Sequence, residues 1–127
     1  MAPSVEVILW VASQERARAF WRAALAVEPV LDVPGMTAFD LDGVRLGLMP
    51  RDDVADLLGR GVVGEGGAPD AELYLRVDDV AAAVGRFLAA GRREISAPAL
   101  RPWGEVAGYG LDPDGHVVAL ASRGGAA

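Results

Sequence analysis

Cysteine is absent from all 127 residues, which excludes disulfides, thiolate zinc sites, iron–sulfur clusters and cysteine nucleophiles together. A chain without thiols suits either redox compartment. Lysine is absent too. All twelve basic residues are arginines, so neither a Schiff base nor the lysine of a phosphate-binding loop can form. Set against eighteen acidic residues they leave a net charge of -6, which opposes sequence-blind binding to nucleic acid and to anionic membrane. The single histidine, His116, would have to build any Ser-His-Asp triad with Ser4, Ser13, Ser96 or Ser122, and none of these lies in a G-x-S-x-G turn. No apolar run reaches the ~18 residues of a spanning helix, and Met1 to Leu9 carries Glu6 where a signal peptide would be basic or apolar. The expectation is a cytoplasmic protein whose partner is a small molecule, not nucleic acid or membrane.

What is present is 52% hydrophobic and 24% charged, the composition of a globular chain, in a length that suits one domain over 1–127. Residues 5 to 25 and 71 to 90 follow one plan: a strand, a polar cap, then an amphipathic helix. Glu6 aligns with Glu72, Leu9 with Leu75 and Val11 with Val77, and Ser13 and Asp79 stand where N-caps belong. Ala17, Phe20, Trp21 and Ala24 form the apolar stripe of the first helix; Val80, Val84, Phe87 and Leu88 form that of the second. Each helix leads to an Asp-Gly turn, Asp42-Gly43 or Asp114-Gly115, followed by a short apolar strand, Val44 to Met49 or His116 to Ala121. The fold class read from this is α+β, with two paired βαβββ modules, 4–50 and 70–123, forming curved sheets around a cavity. The connection 51–69 holds a short helix, Asp52 to Leu58, and a glycine-rich linker, Gly59 to Pro69, that lacks the flanking strand of a phosphate loop.

The segments Val5 to Leu25, Leu73 to Val80, Arg101 to Gly104 (R-P-W-G) and Asp112 to Leu120 (D-P-D-G-H-V-V-A-L) resemble the vicinal oxygen chelate superfamily, which includes glyoxalase I, bleomycin-resistance proteins and extradiol dioxygenases. Nearly the whole chain is covered. The resemblance implies the paired-module fold, a cavity completed in a homodimer, and a metal site with one ligand from the first and last strand of each module. By position those ligands would be Glu6, Gly47, Glu72 and Ala119. Gly47 and Ala119 have no side-chain donor, and two carboxylates with waters suit only a weakly held hard cation. No cofactor is expected, with Mg, Mn, Ni or Zn as the alternative.

Strand alternation turns Glu6, Ile8 and Trp10, then Arg45, Gly47 and Met49, toward the cavity in the first module. In the second it turns Glu72, Tyr74 and Arg76, then Val117, Ala119 and Ala121. Without a metal, Glu6 and Glu72 form a carboxylate pair that shuttles a proton, holds a ligand's cationic part, or is tied to Arg45 or Arg76. Trp10 and Tyr74 offer flat faces to a planar or cationic ligand, or fill the cavity. Trp103 is either a ligand contact or a lid over the sheet edge. Val106, Gly108 and Gly110 read as small side chains that leave room for a bulky ligand, which adds Gly108 to the contacts. By alternation His116 points away from the cavity, and Asp52, Asp53 and Asp56 read as a solvated helix start. The functional expectation is a metal-independent protein that sequesters an aromatic or cationic ligand such as an antibiotic, with Glu6, Trp10, Arg45, Met49, Glu72, Tyr74, Arg76, Trp103 and Gly108 as contacts. The alternative is a lyase, isomerase or dioxygenase-type enzyme in which Glu6 and Glu72 do the catalysis, with or without a divalent ion.

Overall fold

The computed structural model describes residues 4–64 and 71–123. The chain divides into two compact units, Met1–Arg22 with Ala26–Gly67, and Ala68–Ala127 with Ala23–Leu25. Each carries a four-stranded mixed sheet, so the α+β class and the repeated βαβββ plan expected from the sequence both hold. Among the described residues no helix is long and apolar enough to cross a membrane.

In the first unit the order is β1 (Val5–Val11), α1 (Gln14–Leu25), β2 (Leu31–Val33), β3 (Met36–Leu41), β4 (Val44–Pro50), α2 (Arg51–Leu58) and α3 (Arg60–Val63). The sheet runs β1-β4-β3-β2, with β1 parallel to β4 and the other pairs antiparallel. Helix α1 starts where Ser13 leaves helical geometry and its hydroxyl accepts the Arg16 N–H at 3.2 Å. Its first turns are fixed to the β2–β3 hairpin. Gln14 donates to Val33 O and to Thr37 Oγ1, its own Oε1 accepts the Gly35 N–H, and Arg18 pairs with Asp32. Thr37, fully buried, is satisfied by donating to Asp32 while accepting from Gln14. The stripe Ala17, Phe20, Trp21 and Ala24 is buried as expected, as are Val11, Phe39, Leu46 and Leu48 of the strands. The expected linker contains α3 at its start; 65–69 lies outside the described residues.

The second unit repeats the plan with β5 (Glu72–Val77), α4 (Val80–Ala90), β6 (Arg93–Leu100), β7 (Val106–Leu111) and β8 (Val117–Ser122), in sheet order β5-β8-β7-β6. Asp79 caps α4 by accepting the Ala82 N–H at 3.0 Å. The buried stripe of α4 is Val80, Ala83, Val84 and Phe87, whereas Leu88, expected in it, is exposed because the helix turns that position outward. His116 precedes β8 instead of opening it. The Asp112 carboxylate accepts the N–H groups of Asp114 and His116 and meets His116 Nδ1 at 2.7 Å, which shapes the turn into the strand.

Candidate functional site

Register decides which side chains share a face, because residues directly opposite in paired strands point the same way. In the first unit Glu6 lies opposite Arg45, Ile8 opposite Gly47 and Trp10 opposite Met49, while Asp40 lies opposite Arg45. Glu6, Trp10, Arg45 and Met49 therefore occupy one sheet face, as the alternation predicts. Gly47 matters there for what it lacks: a β-carbon on it would stand 2.9 Å from Glu6 Oε2 and 3.2 Å from Ile8 Cγ1. The Glu6 carboxylate thus folds over the glycine. Arg45 donates to Asp40 at 3.1 Å, and neither Arg45 nor any other described residue pairs with Glu6. A depression of about 520 Å³ opens at this end of the sheet between Glu6, Asp40, Gly43 and Arg45.

The second unit's face has three rows. Glu72, Val117, Leu111 and Arg93 form the first; Tyr74, Ala119, Tyr109 and Ser96 the second; Arg76, Ala121, Ala107 and Ala99 the third. Over these rows reaches the loop between β6 and β7. It is closed by the Arg101 N–H donating to Glu105 O at 2.8 Å and the Gly104 N–H to Arg101 O at 2.9 Å, and Gly104 takes the positive φ of 92° that this tight return requires. The loop delivers Trp103 and Glu105 onto the β5 side chains. Trp103 Nε1 donates to Tyr74 Oη at 2.9 Å, Tyr74 Oη donates to Glu105 Oε1 at 2.7 Å, and Arg76 grips both Glu105 oxygens through Nε at 2.8 Å and Nη2 at 3.3 Å. The Arg76 guanidinium also lies 5.0 Å from the Tyr74 ring centre. Hydrogen bonds from Arg76 and then Tyr74 hold the Glu105 carboxyl below its ordinary range. Burial, then the bond to Glu105, pushes the Tyr74 hydroxyl up. Trp103 is 55% exposed, with its one indole N–H already used.

The structure therefore brings Tyr74, Arg76 and Trp103 together, through a residue the sequence reading passed over, Glu105. Of the three alternatives for Glu6 and Glu72, the tie to Arg45 or Arg76 does not form, because Asp40 and Glu105 take the two arginines. Gly108 is a correction. It pairs with Leu120 on the opposite face, and the space beside it is taken: a β-carbon there would stand 3.0 Å from Pro98 Cγ, and one on Gly110 2.6 Å from Arg92 Cζ. The glycines accommodate crossing side chains; they do not open a pocket. Tyr109, between them, is the aromatic residue of β7 on the site face, flanked there by Ala107 and Leu111.

Among the described residues no three His, Cys, Asp or Glu side chains converge to hold a metal ion. At the four positions where the resemblance implies ligands, Gly47 and Ala119 contribute no donor, and the place of a Gly47 side chain is filled by Glu6 itself. These residues do not fit the four-ligand site.

The sequence pattern of the Glyoxalase/Bleomycin resistance protein/Dioxygenase superfamily matches residues 4–120. No curated protein matches the chain. Among solved structures, a glyoxalase-related enzyme from Fulvimarina pelagi superposes with a TM-score of 0.83 at 21% identity, covering 97% of this chain and 89% of that one. A glyoxalase/bleomycin resistance protein/dioxygenase family enzyme from Burkholderia phytofirmans PsJN gives 0.84 at 19%, covering 92% and 95%. A structure described as lactoylglutathione lyase from Agrobacterium tumefaciens gives 0.72 at 22%, covering 96% and 94%. At these identities the likeness is one of fold.

Proposed function

Because the chain belongs to the glyoxalase/bleomycin resistance protein/dioxygenase superfamily, we propose that it binds and sequesters a planar aromatic small molecule, without a metal, on the second unit's sheet face. One observation carries the reading: Trp103 is 55% exposed while its indole N–H is held by Tyr74 Oη. An exposed aromatic fixed in orientation has already lost the freedom that binding would otherwise remove. Tyr74 supplies a second ring beside it. Glu105 is spent on Arg76 and Tyr74, so stacking, not capture of a cation by that carboxylate, supplies the affinity. Glu6, Trp10, Arg45 and Met49 offer a further contact surface in the first unit, and the protein acts as a homodimer.

The test is a fluorescence titration with a naphthalene-ring ligand, in the presence of chelator. Trp103→Ala is expected to weaken binding about tenfold, the size of ~1.4 kcal/mol of lost stacking and burial. Undiminished affinity in that variant would sink the reading. Binding that appears only on addition of Mn, Ni or Zn would favour the metal-assisted enzyme instead.

A further inference from the structure

Arg101 is the cation that the second unit's sheet face leaves uncompensated. Its Nε donates to Ala107 O at 2.9 Å, and its Nη2 donates to Ser96 Oγ and to Ala97 O, both at 3.0 Å. All three acceptors are neutral. No described acidic residue forms an ion pair with it. Around it Arg76 is neutralised by direct contact with Glu105, while Glu72 and Arg93 stand at the two ends of one cross-strand row and balance in formal charge only. The face therefore carries one excess positive charge in a chain whose net charge is -6.

Donor arithmetic gives that charge a direction. A guanidinium has five N–H groups. The Nε and both Nη2 hydrogens are used on the protein, which locks the plane of the group 5.2 Å from the centre of the Tyr109 ring. The two Nη1 hydrogens have no acceptor among the described residues. A fixed guanidinium with unspent donors beside an aromatic ring is a receptor for an oxyanion attached to a flat hydrophobic body. Tyr109 shares its row with Tyr74, whose hydroxyl accepts the Trp103 N–H.

We infer that the ligand of this face is an aromatic acid, its ring on the Trp103–Tyr74–Tyr109 side chains and its carboxylate on Arg101 Nη1. The inference rests on the aromatic-ligand reading above and adds the ligand's charge. Binding to wild-type protein is measured by calorimetry for 2-naphthoate, 2-naphthamide and 2-naphthylmethylamine, which share one ring system and differ in charge. The acid is expected to bind about tenfold tighter than the amide, as one charge-assisted contact dictates, with the amine weakest. Added salt should erode the acid's advantage. Arg101→Gln should bring acid and amide to equal affinity, Arg101→Lys should keep part of the difference, and Arg22→Gln, an exposed arginine of the first unit paired with Glu28, should leave it intact.

Equal affinities for acid and amide in the wild type, or a preference for the amine, would overturn the assignment of charge while leaving the aromatic reading standing. Failure of all three compounds to bind would remove both. A ratio unchanged in Arg101→Gln would overturn the role of Arg101, and if that variant does not fold, the wild-type acid-to-amide ratio still decides for or against an acidic ligand.

Discussion

Glu105 shows how one carboxylate can organise three other side chains. Its pKa is held below the ordinary 4.5 because the ionised form accepts from Arg76 and Tyr74. A lowered folded-state pKa means stability that is present above the unfolded value and lost as pH falls through the folded one. The stability difference between the wild type and Glu105→Gln is therefore expected to be constant near neutrality and to shrink only below pH 4.5, measured as urea midpoints in acid steps. A difference that grows in acid would contradict the geometry. Arg92 makes a second case. It is 4% exposed, donates once, to Val118 O, and its Nε and Nη1 have no protein partner among the described residues; burial accordingly lowers its pKa. Removing a buried charge with unmet donors relieves desolvation, so Arg92→Met should leave thermal stability unchanged or raise it. Gly110→Ala should do the opposite. Its β-carbon would stand 2.6 Å from Arg92 Cζ and 2.8 Å from the Arg93 carbonyl, and overpacking against backbone costs about 1–3 kcal/mol.

Elements were the most legible level of this chain. The strand-cap-helix repeat, both caps and both Asp-Gly turns were readable because each is a local rule: alternation, one hydroxyl or carboxylate reaching an N–H three residues on, and a positive φ at Asp42 and Gly43. Ser13→Ala and Asp79→Ala should each cost about 1 kcal/mol in chemical denaturation, and additively, since the caps belong to separate units. Facing in β7 was not legible. Val106, Gly108 and Gly110 do share one face, but nothing within β7 says which face meets a helix. That was settled by Pro98 and Arg92, which come from outside the strand and fill the glycines' side. Edge strand β6 follows a rule visible only once the sheet order is known. Its pairing slips between Glu94 and Ser96 and again between Ser96 and Ala99, and Pro98 removes an edge N–H, so exposed Ile95 and Leu100 are not presented on a flat strand.

At the scale of the whole molecule, the proposed metal-free homodimer predicts a native mass spectrum with the dimer mass and no stoichiometric metal after exposure to Mn, Ni or Zn. Retained metal would overturn the metal-free reading, and a monomer would remove the assembly. Composition, the absence of cysteine and lysine, the repeated plan and hence the α+β fold were determined by the sequence alone, because propensity, period and capping act over a few residues. The site was decided by tertiary structure. Tyr74 and Arg76 are separated from Trp103 and Glu105 by a helix and a strand, and Arg101 meets Tyr109 only because a glycine turn folds the β6–β7 loop back over the sheet. Alternation can say which residues share a face, but which arginine receives which carboxylate depends on distances that exist only after the sheet has closed.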